Sequence, residues 1–239
     1  MFSVVIGLID RVPSGIPGLD ELLGGGFVKR RHIVICGGPG SGKTTLGYEF
    51  LYRGAEEYNE KGLFVSLEQS PERVVEGAKA LFKEWDWDSH LDKNIVVTRI
   101  QLEDFNNLKD IIGSYVREHG VKRVVLDSLT LLKLYFRGED AYRNNLYELL
   151  TFMGDLDCTS LLTLEKEINK RSEANYDMEE FVADGVINMY LVPKDMDRLR
   201  VLEIIKMRDT DHSTKLCPFK ITPEGLMISP KARMFGGIE

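Results

Sequence analysis

The stretch that most limits what this chain can fold into is residues 32–44, HIVICGGPGSGKT: an apolar run, a glycine-rich turn, then a lysine and a threonine that open an amphipathic segment. The turn fits G-x-x-x-x-G-K-[ST] at Gly37, Gly42, Lys43 and Thr44. Glycines let backbone N–H groups curl around phosphate oxygens, and the helix that follows adds its positive N-terminal end. The residues predicted to line this cradle are Gly38, Gly40, Ser41, Gly42, Lys43, Thr44 and Thr45. Lys43 is expected to reach terminal phosphates, and the Thr44 hydroxyl to ligate Mg²⁺. A strand before the motif and a helix after it are the context that separates it from an ordinary glycine-rich turn.

The rest of the chain supplies that context. LFVSL (63–67), NIVVTRI (94–100), KRVVLDS (122–128) and TSLLTLE (159–165) read as further strands, separated by helical patterns over 43–58, from Pro71, from Phe105 to near Gly120, and around 140–157. Ser70 and Pro71 fit an N-cap and first helical position, with Val74, Val75, Ala78, Leu81 and Phe82 on one face. GVINMYLVP, LRVLEIIKM, LCPFKIT and GLMISP then form four short β-runs with little helix, which predicts an antiparallel extension. The expected class is α/β, a mostly parallel central sheet flanked by helices with a C-terminal antiparallel β extension, as one domain over 1–239. The net charge of −7 excludes a global basic field for nucleic acid or anionic lipid. Cys36, Cys158 and Cys217, odd in number and set in apolar sequence, read as reduced core thiols. With no apolar run of membrane-spanning length and no signal-peptide pattern, the expected location is cytoplasmic.

A Mg²⁺–nucleotide site needs a second anchor for the metal's water shell, and RVVLD supplies Asp127 at the end of an apolar strand, in the form of a Walker B acid. LFVSLEQSPE also ends its apolar run in an acid, Glu68, with a helix start directly behind it. Two readings of Glu68 stand side by side. It marks where the strand leaves the core, or it faces a water that attacks phosphate; loops at the carboxyl ends of neighbouring parallel strands share one crevice, so the second reading is sterically open.

SGIPGLDELLGGG, GGPGSGKTT, GLFVSLEQSPE, VVLDSLTLL, MEEFVADGVI and LEIIKMRDTDHS, in this order, cover nearly the whole chain and resemble the KaiC family of RecA-superfamily ATPases. The resemblance implies a RecA-like P-loop fold, ATP and Mg²⁺ as ligands, and a homo-oligomeric ring, a hexamer, with nucleotide between subunits. KaiC carries two such domains in tandem and this chain one, so autokinase and clock functions are not part of the implication. The family's pair of catalytic glutamates reads Glu68 then Gln69 here. Its K-x-R segment, which reaches the γ-phosphate held by a neighbour, matches Lys206 and Arg208, and a histidine near the nucleotide across the same interface matches His212. From the residues alone, Lys206 and Arg208 share one side of a strand and also read as a solvated basic end, while His212 reads as a surface residue in a turn. Lys29, Arg30 and Arg31 depart from the family's glycine-containing turn and read as a solvated strand entry; Trp85 and Trp87 read as a corner with one indole buried. Two other functions remain open: a non-hydrolytic ATP-binding switch for an unknown protein partner, motivated by Gln69, and a RecA-type DNA-binding ATPase. Against DNA, the expected channel loops YFRGEDAYRNN and EKEINKRSEANYDMEE interleave Arg137, Arg143, Lys166, Lys170 and Arg171 with about as many acids.

Overall fold

The computed structural model describes residues 9–102, 105–166, 178–194 and 196–232. An antiparallel ribbon, β1 (Arg11–Val12) and β2 (Phe27–Val28), encloses the short helix α1 (Leu19–Leu22). Five strand-to-strand crossovers follow: β3 (His32–Gly37), α2 (Lys43–Tyr58), β4 (Lys61–Ser66), α3 (Pro71–Leu81), α4 (Trp87–His90), β5 (Ile95–Arg99), α5 (Phe105–His119), β6 (Val121–Asp127), α6 (Leu129–Tyr135), α7 (Glu139–Gly154), β7 (Thr159–Glu165) and α8 (Met178–Val182) lead to β8 (Gly185–Lys194). The chain then runs through β9 (Asp197–Met207), β10 (Cys217–Thr222) and β11 (Gly225–Ile228).

The large sheet has the order β11-β10-β9-β8-β3-β7-β6-β4-β5. The six strands from β8 to β5 are mutually parallel, and β9, β10 and β11 are antiparallel. The expected antiparallel extension therefore begins one strand later than the sequence suggests. β8 pairs parallel with β3, because α8 carries the chain back across the sheet before β8 starts. Residues alternate between two cores, as strand pleating requires: Ile33, Ile35, Phe64, Val125 and Leu161 face α2, α3 and α4, and Val34, Cys36, Val65, Val124 and Leu162 face α5, α6 and α7. The central strands are thus buried on both faces, which is why they read as continuous apolar runs. All three cysteines are buried and none forms a disulfide among the described residues.

α3 starts as its sequence predicts: the Ser70 hydroxyl accepts from the Arg73 N–H, and Pro71 occupies the first turn. Val74, Ala78 and Phe82 are buried, but Leu81 in the last turn is exposed. Burying a side chain such as Phe82 stabilises by about 1.5–3 kcal/mol. Its ring stacks on Trp85 at 4.2 Å, Trp85 stacks on Tyr52 of α2 at 4.4 Å, and Trp87 lies 4.9 Å from Tyr52. Trp87 is the buried indole and Trp85 the partly exposed one. α6 is absent from the expected pattern: its seven residues leave too few turns for a helical stripe to stand out beside the apolar strand before it.

Two buried ionisable groups tie distant segments together. The Arg123 guanidinium, on β6 and fully buried, donates to Glu60 at 2.7 Å and to the carbonyls of Pro13 and Phe50 at 2.8 and 2.9 Å. Gly54 is the residue α2 needs there, since a Cβ would lie 2.4 Å from Arg123 Cδ. Glu49, also fully buried on α2, accepts from the Leu226 N–H at 2.6 Å, so the phosphate-side helix holds the β10–β11 turn.

Burial pushes the Glu49 carboxyl up from its ordinary 4.5 to about 7, against the opposing hydrogen bond from Leu226 and the charge of Arg53. Because the folded carboxyl keeps its proton up to that value and the unfolded one does not, stability contributed by this group falls as pH rises through the window and levels off above it. Glu49→Gln removes the titration. The stability difference between parent and Glu49→Gln, measured by urea denaturation, should shift against the parent by about 2 kcal/mol between roughly pH 5 and pH 8; a difference that does not change with pH would mean that Glu49 does not titrate there.

Candidate functional site

The loop of residues 37–42 leaves the carboxyl end of β3 and turns directly into α2. Gly40 and Gly42 have φ of +74° and +106°, a conformation that side chains rarely adopt. No side chain caps the N-terminus of α2, so its first-turn N–H groups face the loop. Ser41 Oγ is buried with no hydrogen-bond partner among the described residues. Lys43 folds back over the loop, its ammonium donating to the carbonyls of Gly37 and Gly38 at 2.9 and 3.1 Å. Burial pushes this ammonium below its ordinary pKa, and the carboxylates of Glu165, Asp127 and Glu68 oppose that. A Lys held this way offers charge-assisted donors to anionic oxygen without first being dragged from bulk water.

The neighbouring strands deliver carboxylates to the same edge. β4 pairs with β6 so that Ser66 lies opposite Asp127, and the Leu67 N–H donates to the Asp127 carbonyl at 2.7 Å. Asp127 Oδ2 accepts from Thr44 Oγ1 at 3.0 Å, while Oδ1 accepts from Thr163 Oγ1. Burial raises the Asp127 pKa, and these two hydrogen bonds, Thr163 first, act against it. Glu68 lies beyond the strand end and is exposed; its Oε1 accepts from Ser128 Oγ at 2.7 Å. The Asp127–Ser128 peptide bond is cis. Lys43, Thr44, Asp127 and Glu68 are therefore brought together, and Thr45, the next residue of α2, is buried.

Lys206, Arg208 and His212 are not part of that cluster. Met189 pairs with Gly37 on one side and Leu202 on the other, so the strand level of the phosphate loop is Leu202. From Leu202 to Lys206 the chain runs four residues in the opposite direction, about 13 Å at roughly 3.3 Å per residue. Lys206 and Arg208 do point to one side. The Lys206 ammonium donates to the carbonyls of Glu180, Phe181 and Ala183 at 3.0, 3.1 and 2.7 Å, and Arg208 donates to the Phe181 carbonyl at 3.2 Å and to Asp184 at 3.4 Å. Lys206 thus caps α8 of its own chain, and burial followed by the Arg208 charge lowers its pKa. The Arg208 side chain keeps 49% of its surface open. His212 sits in the loop beyond, against α1, where the Ser213 N–H donates to the Leu22 carbonyl.

Other expectations are resolved locally. Arg30 pairs with Asp157 and Arg31 with Asp209, so this basic entry is engaged within the chain. YFRGEDAYRNN is not a loop: from Glu139 it is the start of α7. Lys166 pairs with Glu180 at 2.9 Å, and Lys170 and Arg171 lie outside the described residues. Among the described residues no helix is long and apolar enough to cross a membrane, and no group of three or more His, Cys, Asp or Glu is placed to hold a metal ion.

Three residues near the loop escaped the sequence reading. Arg200 donates to the Gly40 carbonyl at 3.2 Å across a separation of 160 residues, which nothing local signals. Glu165 lies opposite Gly37, and its side chain is exposed at the strand end. Thr163 had a local signal, a hydroxyl inside the apolar run LLTLE.

Comparison with known proteins agrees with this fold. A family model described as the KaiC ATPase matches residues 12–233. A UPF0273 protein of Thermotoga maritima is 32% identical, covering 93% of this chain and 97% of that one, and one of Methanocaldococcus jannaschii is 31% identical over 92% and 96%. The circadian clock oscillator protein KaiC of a Picosynechococcus species is 29% identical over 95% of this chain and 46% of its own length. Among solved structures, a KaiC-like protein from Pyrococcus horikoshii superposes with a TM-score of 0.82 at 36% identity, covering 93% of this chain and all of that one. Fold and relatives converge: the chain belongs to the KaiC family of RecA-superfamily ATPases.

Proposed function

We propose that this chain binds ATP with Mg²⁺ in the loop of residues 37–44, hydrolyses it, and does so within a ring, a hexamer by family resemblance, whose subunits complete one another's sites. The observation that carries the reading is the division of the candidate site residues between the two ends of the strands: Lys43, Thr44, Asp127 and Glu68 at one, Arg208 and His212 at the other. A strand register that keeps Arg208 from its own loop supports action on a neighbour's nucleotide, since stacking one subunit's far edge on the next one's near edge unites the two halves.

The donor set suits Mg²⁺, which takes only one or two protein oxygens and completes its octahedron with phosphate oxygens and water. When bound, the ion neutralises charge on the β- and γ-oxygens. The protein's part is to position. Gly38, Gly40, Ser41 and Gly42 wrap the phosphates with backbone N–H groups, and Lys43 exchanges its two carbonyl partners for anionic oxygens. Thr44 and Asp127 orient the metal side. Glu68, held by Ser128, accepts a proton from the attacking water. A non-hydrolytic switch for a protein partner is the second reading; it is favoured by Gln69, where the family has a second acid, and turnover by the parent protein decides between them.

Lys43→Ala should abolish nucleotide binding while far-ultraviolet circular dichroism stays unchanged, and ATP affinity equal to the parent's would end the nucleotide assignment. Glu68→Gln should bind ATP as the parent does but hydrolyse it about 10²- to 10⁴-fold more slowly in a phosphate-release assay. Arg208→Ala should bind ATP yet turn over about 10³- to 10⁵-fold more slowly. Mixed with Lys43→Ala under conditions that allow subunit exchange, it should regain activity that neither variant has alone. If exchange is confirmed and the mixture stays inactive, Arg208 does not serve a neighbour.

A further inference from the structure

We propose that Thr163 is a positioning residue that aims the Asp127 carboxylate at the metal side of the nucleotide site, an inference that rests on the Mg²⁺–ATP reading above. β7 lies between β3 and β6, and every residue of TSLLTLE before the final glutamate is buried. Such a strand has no use for polar side chains unless each has a partner. Two of its three hydroxyls serve the far edge of the sheet: Thr159 Oγ1 accepts from the Arg30 N–H at 3.0 Å, and Ser160 Oγ pairs with His32 Nδ1 at 2.8 Å. The third, Thr163, is 1% exposed and donates to Asp127 Oδ1.

A carboxylate at a strand end turns about two side-chain bonds, and one hydrogen bond does not fix it. Asp127 has a donor on each oxygen, Thr44 on Oδ2 and Thr163 on Oδ1, arriving from α2 and from β7. The two donors are not equivalent. Thr44 belongs to the phosphate loop, and its hydroxyl oxygen is itself a candidate metal ligand, so its geometry changes with what the loop holds. Thr163 belongs to β7 and not to the loop. Its position is set by register, with Thr163 opposite Ile35 on β3 and its neighbour Leu162 opposite Leu126 on β6. It is therefore the constant member of the pair, and its loss should be felt where Asp127 is used rather than in the fold at large.

Thr163→Val keeps the shape and removes the donor; Thr163→Ser keeps the donor and removes a methyl group. Affinity for a fluorescent ATP analogue, read by anisotropy in EDTA and across a Mg²⁺ titration, separates the two. In EDTA all three proteins should bind alike. With Mg²⁺, parent and Thr163→Ser should gain affinity at the same metal concentration, and Thr163→Val should need about tenfold more, the low end of what loss of an outer-shell partner does. If Thr163→Val does not fold, Thr163→Cys, similar in volume and a much weaker donor, should show the same loss. Thr163→Val with the parent's Mg²⁺ requirement would overturn the proposal, as would Thr163→Ser losing as much as Thr163→Val, which would make the residue a packing element. A parent whose nucleotide affinity ignores Mg²⁺ would remove the reading beneath the proposal, and the proposal with it.

Discussion

With β7 on one side of β3 and β8 on the other, both parallel to it, every hydrogen-bonding position along residues 33–37 is taken. The chain leaving Gly37 turns through the positive-φ residues Gly40 and Gly42, and the helix that follows points its positive end back at the strand ends. The same register sets the level of the neighbours. Gly37 lies opposite Glu165, and Ser66 opposite Asp127, so three acids finish within reach of one lysine. That concentration of like charge is tolerable because each member is answered: Asp127 by two hydroxyls, Glu68 by Ser128, and all three by Lys43.

The opposite edge of the sheet is organised by a different economy of charge. Lys206 gives all three of its donors to carbonyls at the end of α8, as a cation at a helix C-terminus should. Arg208 shares the Phe181 carbonyl but keeps half its side chain at the surface, so of the two cations it is the one with donors directed outward. α8 is also held from the phosphate side. Glu180 pairs with Lys166, whose own N–H donates to the Gly37 carbonyl. A helix of five residues thereby contacts the loop edge through the Glu180 side chain and the arginine edge through the carbonyls of Glu180 and Phe181.

What the sequence made legible was whatever is written locally. The strand–loop–helix of residues 32–58, the Ser70–Pro71 start of α3 and the exact span of β7 follow from periodicity and capping, because a strand or cap is decided by a few adjacent residues. Asp127 and Glu68 were legible one level up, from their place at strand ends beside a phosphate motif. The parallel pairing of β8 was not, since its direction depends on where α8 delivers the chain, and four short β-runs in succession look like a meander. Arg123 reads as one more charge in KRVV, and only its partners Glu60, Phe50 and Pro13, brought in from elsewhere in the chain, make it an interior tie. Arg200 and Glu49 were hidden for the same reason: their meaning lies in contacts across 160 and 177 residues.

The aromatic corner beside α2 has an optical consequence. The chain has two tryptophans, and both lie in that corner, their rings 6.0 Å apart and packed around Tyr52. Tryptophan emission from this protein is therefore a report from one address. It follows the seam where α2, the helix that begins at the phosphate loop, meets the segment between α3 and β5, and it carries no tryptophan signal from β8 to β11. An unfolding curve read by tryptophan fluorescence thus follows this seam while one read by backbone absorption follows the whole chain, and any gap between them would say whether the seam lets go before the rest.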